Sequence, residues 1–426
     1  MHVPDLSSLC ESESHVVLLF DSSHHATSYL ALGCNRELVY DSPESGILEA
    51  LEAFTKKGKS WTFGWLGYDL KNEIERLETR APSPLAHPVL AWWEPEIVIK
   101  FSYSGYEVIQ GDPNDPRTLE ALSSLESQER KNVYPEGGNE NEMVWSWKKD
   151  EYLKAFHEVK SLIKNGDVYE LNLCMPLKGR APSSSSWPLF TRLESLTRAP
   201  FSAYLQCGPH RIMSGSPERF LKKTGSRLLS QPIKGTIRRG LTSEEDLSLA
   251  RELQSSEKER AENVMIVDLV RNDLSRVAQK ATVEVTELCA IHSFSTVHQM
   301  VSSIQCQLAP DKGLASILHA TFPMGSMTGA PKIAAMKHID RLELEGRGSY
   351  SGSAGYIDPS GDFDLNVLIR SLFHNVSQEG INVSQEGINE TNLVSNVGGA
   401  ITSLSDGELE YQECLLKAES VIKAVV

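Results

Sequence analysis

The pattern of apolar and polar positions changes character near residue 132. Before it, short apolar runs alternate with turns: "HVVLLF", "WTFGWLGYDL" and "PVLAWWEPEIVIKFSY". Runs of this length, rich in β-branched and aromatic side chains, predict strands. Val98, Ile99 and Phe101 fall in one that can continue a sheet shared with later residues. "YPEGGNENE", Tyr134 to Glu142, has no apolar residue after its tyrosine and reads as linker or exposed loop. The chain therefore divides into residues 1–132, a connection at 133–145, and residues 146–426.

After the connection a helical period appears. Tyr152, Phe156, Val159, Leu162 and Ile163 share one face, and Gly166 supplies the stop. "VYELNLCMPL" and "FSAYLQC" then read as strands. "SYSGSAGYIDPSGDFDLNVLIRSLF" reads as a hairpin turning at "DPSGD", followed by a buried strand. "VSQEGIN" occurs twice in tandem, Val376–Asn382 and Val383–Asn389. Two copies are too few for a repeat architecture, so an exposed hairpin tip is expected.

Two further helices carry paired carboxylates. "SSEKERAENVMIVDLVRNDLSRVA" opens with Ser256 and Glu259 in capping-box spacing. Val264, Ile266, Val267, Leu269, Val270 and Leu274 predict a largely buried helix, with Glu259 and Glu262 on one face. In "ELEYQECLLKAESVIKAVV", Glu410 and Glu413 repeat the spacing, with Leu416, Val421 and Ile422 expected to face the core. Carboxylates on two helices suit Mg²⁺, which prefers oxygen ligands. Spacing alone favours a simpler reading, acidic first turns that complement helix dipoles.

Composition narrows the class of partner. The formal net charge of −15 argues against nonspecific binding to nucleic acid or an anionic membrane. An anionic substrate would then need a local cation or a metal. No apolar run reaches the roughly 18 residues of a membrane span, and "MHVPDLSSLCESESH" is too acidic for a signal peptide. The seven cysteines lie far apart without a C-x-x-C pair. They are expected to be reduced cytoplasmic thiols, with no disulfide framework or zinc site. The sequons at Asn375, Asn382 and Asn389 are then chance matches.

Three small-residue stretches remain. "FPMGSMTGAPK" places Ser326 and Thr328 between glycines ahead of a helix expected near Pro331, where N–H groups and hydroxyls can hold a carboxylate. "SNVGGAI" suits close backbone approach, and neither stretch fits a dinucleotide or P-loop pattern. "QPIKGT" sets Lys234 between a proline and Gly235. By itself it reads as a surface lysine in a loop.

Together these stretches resemble the chorismate-utilising enzymes, over about residues 145–426. The resemblance rests on "GDVYELNL", "SGSPERF", "QPIKGT", "AENVMIVDLVRNDL", "HQMVSSI", "FPMGSMTGAPK", "GSAGYIDPSGDFDLNVLIRS" and "EYQECLLKA". The first third matches loosely, through "GWLGYDLKN". The implied fold is one α/β unit of two packed antiparallel sheets flanked by helices, to which the N-terminal segment contributes strands. The resemblance makes Glu262 and Glu413 the Mg²⁺ ligands, with Glu259 and Glu410 holding its waters. It makes Glu218 the general acid, His298 the histidine near the leaving C4 hydroxyl, and Tyr356 and Arg370 substrate contacts. Gly235, Thr236, Ser326, Gly398 and Gly399 complete the implied substrate site. Ala400 stands where many relatives have glycine, and Ser326 where many have threonine.

Within the family, aminodeoxychorismate synthases have lysine at the position of Lys234 and anthranilate synthases have alanine. Lys234 therefore implies amination of chorismate at C4, with the lysine as covalent nucleophile at C2 and its pKa depressed. Isochorismate synthases place a lysine base where Glu170 stands here. No G-x-C-x-G nucleophile elbow is present, so a separate glutamine amidotransferase subunit is expected to supply ammonia. The alternatives are anthranilate synthase component I, a pyridoxal-phosphate lysine, and a non-catalytic binding subunit.

Overall fold

The computed structural model describes residues 2–21, 27–75, 77–127, 143–182, 186–376 and 391–426. The expected linker at Tyr134–Glu142 and nearly all of the tandem "VSQEGIN" lie outside the described residues. Among them, two antiparallel sheets form the frame, of eleven and ten strands. The first runs, in spatial order, from Gly329–Ala330 through Glu170–Gly179, Leu393–Ile401, Ser371–Asn375, His210–Ser216 and Phe201–Cys207. It continues through His15–Phe20, Ser28–Leu32 and Ile97–Ser102 to Gly105–Gln110. The second runs from Ile233–Arg238 through Val297–Gln307, Arg227–Gln231, Arg219–Thr224, Phe363–Asn366 and Ser353–Ile357. It ends at Thr62–Leu66, Leu90–Glu94 and Arg36–Tyr40.

N-terminal strands thus complete both sheets. His15–Phe20 pairs with Phe201–Cys207, and Thr62–Leu66 pairs with Ser353–Ile357. The unbroken apolar run "HVVLLF" follows from burial on both faces. Val17 joins a core with Phe63 and Trp65 of the second sheet, whereas Val16 and Leu18 join Tyr152, Phe190 and Val421 of the covering helices.

Local signals account for the element ends. The helix Lys149–Asn165 stops at Gly166, whose φ of 84° ends it in the left-handed region. Ser256 caps the helix Glu257–Ser275 by accepting from Glu259 N. The predicted hairpin turns at Asp358, whose backbone N donates to Asp362 O at 2.8 Å. Two core assignments need correction. Val264 and Leu416 are exposed, because each helix covers its sheet with one face only and these residues lie on the other. Among the described residues, no helix is long and apolar enough to cross a membrane.

One buried cation joins the parts that carry the site. Arg347 donates twice to Glu343, from Nε at 2.9 Å and Nη2 at 2.6 Å. It also donates to Met327 O at 2.7 Å and Asn172 O at 2.9 Å. Glu343 Oε1 accepts in turn from Cys174 N at 2.9 Å. The guanidinium thereby holds the short 3₁₀ turn Gly325–Met327 against the strand Glu170–Gly179.

Arg347→Met leaves Glu343 buried without its counter-charge and frees two carbonyl contacts. It is expected to cost about 3–5 kcal/mol of folding stability, read as a lower urea midpoint. A loss below about 1 kcal/mol would show that solvent can replace the clamp.

Candidate active site

Lys234 lies in Ile233–Arg238, the edge strand of the second sheet. The pairing register slips there: Lys234 faces Met300 and Thr236 faces Gln299, leaving Gly235 as the extra residue of a bulge. Gly235 has φ 75°, and a Cβ on it would sit 2.9 Å from both Glu259 Oε2 and Leu253 Cδ1. Only glycine lets the helix Glu257–Ser275 approach so closely. The glycine of "QPIKGT" thus brings a carboxylate-bearing helix against the lysine strand.

The lysine is buried and paired. Its Nζ donates to Glu170 Oε1 at 2.8 Å, and Glu170 is itself buried at the start of the strand Glu170–Gly179 in the other sheet. Glu170 Oε2 has no hydrogen-bond partner among the described residues. Burial pulls the Lys234 pKa down, but Glu170 and Glu262, with help from Glu218, outweigh it and hold the ammonium above its ordinary range. The expectation of a depressed pKa rested on burial beside Mg²⁺ and an arginine, whereas the groups that dominate around Lys234 here are carboxylates.

Glu218 sits in the turn between His210–Ser216 and Arg219–Thr224. Ser326 Oγ donates to its Oε1 at 2.6 Å, which is why the 3₁₀ turn matters. Burial pushes Glu218 up to about 7, partly offset by Ser326 and Lys234. A carboxyl poised there can hold a proton at neutral pH and release it to a leaving group.

The four helical carboxylates converge as their spacing allows. Glu262 and Glu410 are buried, and burial pushes Glu262 up to about 8. Glu262 Oε1 accepts no hydrogen bond, with Lys258 Nζ standing 3.9 Å away. Lys258 instead donates to Glu410 Oε1 at 2.7 Å. Burial acts to raise Glu413, but Lys417, 2.7 Å from its Oε1, brings it below its ordinary value. Lys417 also donates to Gly398 O at 3.0 Å. A Cβ on Gly398 would fall 2.5 Å from Cys174 Sγ, and one on Gly399 would fall 3.3 Å from Glu410 Oε2. Ala400 is accommodated as an ordinary strand residue opposite Asn172.

Arg370 has φ 53°, unusual for a side chain of its size. Nothing among the described residues accepts a hydrogen bond from its guanidinium, and burial holds it below its ordinary pKa, with Tyr350 and Glu413 close enough to offset part of that. An unpaired arginine held in a strained backbone is equipped to receive an anion.

Two expected site residues lie elsewhere. Tyr356 packs in an aromatic cluster with Tyr29, at 4.8 Å between ring centroids, and Trp61, at 5.3 Å. It lines a separate cavity with Arg219 and Asp364. The tyrosine beside Arg370 is Tyr350, six residues earlier in the same motif, and "YSGSAGY" offers both with no local signal to choose between them. His298 has both ring nitrogens engaged, Nδ1 with Ser293 Oγ at 2.8 Å and Nε2 with Asp246 Oδ1 at 2.9 Å. It belongs to a network with Arg239 on the face of the helix Ser243–Ser255, so the leaving-group position is not its place. Thr236 is exposed at the rim. The reading also missed Lys258 and Lys417. Each stands four residues from a glutamate, Glu262 and Glu413, the one available signal.

Comparison with known proteins now bears on this geometry. Residues 15–423 match the family described as chorismate binding enzyme. The chain belongs to this family. A probable chloroplastic aminodeoxychorismate synthase of rice is 40% identical over 290 residues, 67% of this chain but only 31% of that protein. Aminodeoxychorismate synthase component 1 of Escherichia coli is 35% identical over 362 residues, covering 84% of this chain and 76% of its own. Among solved structures, anthranilate synthase component I of Streptococcus pneumoniae superposes with a TM-score of 0.76. The match covers 95% of this chain and 94% of that one, at 24% identity, and shows the shared fold. As a chorismate-binding enzyme, the chain has the two-sheet architecture its motifs implied.

Glu218 gives a pH effect of defined sign. Its folded pKa of about 7 exceeds the ordinary 4.5, so the folded state keeps a proton that the unfolded chain releases. The stability it contributes is complete below pH 4.5 and lost as pH rises to about 7. Across that window the stability difference between wild type and Glu218→Gln should change by on the order of 3 kcal/mol. Urea unfolding in EDTA checks this, and a constant difference would mean the carboxyl is solvated.

Proposed function

We propose that the chain converts chorismate and ammonia to 4-amino-4-deoxychorismate, the step that leads to p-aminobenzoate and folate. The observation that carries this reading is Lys234, buried between Glu170, Glu218 and Glu262. The printed names of the rice and E. coli relatives support it. "Component 1" in the E. coli name also supports a separate glutamine amidotransferase subunit as the ammonia source.

Chorismate is a dicarboxylate, and the site is built for two anions of different kinds. Arg370, with its unpaired guanidinium, takes the enolpyruvyl carboxylate, and Tyr350 stands beside it. The ring carboxylate would otherwise meet the acidic cluster. Glu170, Glu218, Glu259, Glu262, Glu410 and Glu413 face Lys234, Lys258, Lys417 and Arg370, six carboxylates against four cations. The all-oxygen donor set and the unpartnered Glu262 Oε1 fit Mg²⁺. Glu262 and Glu413 would hold it, with Glu259 and Glu410 through water. When bound, it supplies charge neutralisation between the ring carboxylate and the glutamates.

The chain's own groups then perform the substitution. Lys234 passes one proton to Glu170, 2.8 Å away, and its lone pair forms a bond to C2. The ring π electrons shift as the C4–oxygen bond breaks, and Glu218 protonates the departing hydroxyl, which leaves as water. Ammonia next bonds to C4, the double bonds shift back, and the Lys234–C2 bond breaks. Glu170 and the added ammonium return protons to the lysine nitrogen and to Glu218. Ser326 keeps Glu218 aimed, and Gly235, Thr236, Gly398 and Gly399 wall the ring.

Product chromatography after incubation with chorismate, Mg²⁺ and ammonium tests the assignment. The 4-amino product is expected, and Lys234→Ala should lose it along with any lysine adduct seen by intact mass. Anthranilate as the sole wild-type product would favour the alternative branch, and unchanged turnover in excess EDTA would remove Mg²⁺ from the reading.

Arg370→Lys replaces a fork with a point charge. It should weaken substrate binding by about 2 kcal/mol or more, a KM rise of roughly 30-fold. A KM within twofold of wild type would mean that Arg370 does not touch chorismate.

A further inference from the structure

Away from the chorismate site, the fold collects four metal-binding side chains that are scattered in sequence. His15 opens the strand His15–Phe20, and its strand partner is Cys207 at the end of Phe201–Cys207. Cys34 lies in the turn after Ser28–Leu32, and Glu37 follows on Arg36–Tyr40, a strand of the other sheet. His15 Nε2 is 3.0 Å from Glu37 Oε2 and 3.3 Å from Cys207 Sγ. Cys207 Sγ is 3.9 Å from Glu37 Oε2. The ligand atoms of His15, Cys34 and Glu37 all lie within 4.8 Å of one another.

The spacings among His15, Glu37 and Cys207, 3.0, 3.3 and 3.9 Å, lie near the edges of a coordination tetrahedron, and Cys34 stands within 4.8 Å of His15 and Glu37. Zinc bonds of about 2.0 Å to nitrogen or oxygen and about 2.3 Å to sulfur give edges of roughly 3.3–3.8 Å. We propose that His15, Cys34, Glu37 and Cys207 form a zinc site that clips interior strands of the first sheet to the edge strand Arg36–Tyr40 of the second.

The surroundings have the features such a site needs. His15 Nδ1 lies 2.9 Å from Ser14 Oγ. In the tautomer that gives its Nδ1 proton to Ser14 Oγ, Nε2 has a lone pair free to ligate a metal beside Glu37 and Cys207. Trp93 walls one side, its ring edge-on to His15 at 5.3 Å between centroids. Cys34 and Glu37 are accessible enough to admit an ion, whereas His15 and Cys207 are buried. The donor set of one nitrogen, two sulfurs and one oxygen suits Zn²⁺ and distinguishes the site from the all-oxygen glutamate cluster. Sequence spacing points away from zinc, because these ligands lie far apart along the chain.

The test uses the full chain, stripped with a chelator and titrated with Co²⁺ and then Zn²⁺. A thiolate-to-cobalt charge-transfer band should appear, saturate at one equivalent and vanish when Zn²⁺ displaces the cobalt. Only sulfur ligands produce this band, so metal on the glutamates cannot imitate it. Cys207→Ser should lose the band, Cys34→Ser, at a partly exposed turn, should lose or strongly weaken it, and Cys289→Ser should keep it. Ser14→Ala should weaken Zn²⁺ binding by about tenfold. Zn²⁺ should raise the melting temperature of wild type but not of Cys34→Ser. The proposal is overturned if wild type gives no band, if the band survives both Cys34→Ser and Cys207→Ser, or if mass and thiol counts show these two cysteines joined as a disulfide.

Discussion

The buried pair of Arg347 and Glu343 is the constraint on which the geometry around Lys234 depends. An arginine can satisfy several acceptors at once because its donors project in a fixed plane. Here they reach Glu343, Met327 O and Asn172 O. Met327 follows Ser326, and Asn172 follows Glu170 by two residues. The same cation therefore sets both the hydroxyl that positions the acid Glu218 and the carboxylate that holds Lys234. A charge this deeply buried is justified only by complete pairing, and the carbonyls it engages belong to segments that also pair through Gly329–Ala330 and Asn172.

A second constraint is charge balance. The glutamates at the helix starts come together in a partly buried space. The protein answers with internal lysines, Lys258 to Glu410 and Lys417 to Glu413. The pairing is incomplete, because Glu262 keeps an oxygen without a hydrogen bond. Burial raises Glu262 and Glu218, so part of the cluster can be protonated near neutrality. Arg370, set in a left-handed backbone, has no hydrogen-bond acceptor for its guanidinium among the described residues.

The chemistry of single positions was legible along the chain. Glu259 with Glu262 and Glu410 with Glu413 were visible because helical spacing puts each pair on one face. Lys234 stood out beside a glycine, and Ser326 in a small-residue turn. The strands were visible as apolar runs, and the helix ends as Gly166 and Ser256, because caps and turns act within a few residues. The sequence by itself thus determined which elements form and which residues can carry charge, acid or hydroxyl.

Which of these meet was decided only by tertiary structure. Tyr350 and Tyr356 are equivalent in the motif, yet opposite ends of one strand region take one to Arg370 and the other to Tyr29. His298 looked suited to a reacting hydroxyl, but packing by the helix Ser243–Ser255 gave both its nitrogens to Asp246 and Ser293. Lys234 was expected to lose its charge through burial, and Glu170, sixty-four residues earlier, preserves it. His15 and Cys207, 192 residues apart, become neighbours through one strand pairing. Local periodicity reports how a segment folds, whereas pKa and ligation depend on inverse distance to groups that only the closed sheets bring near.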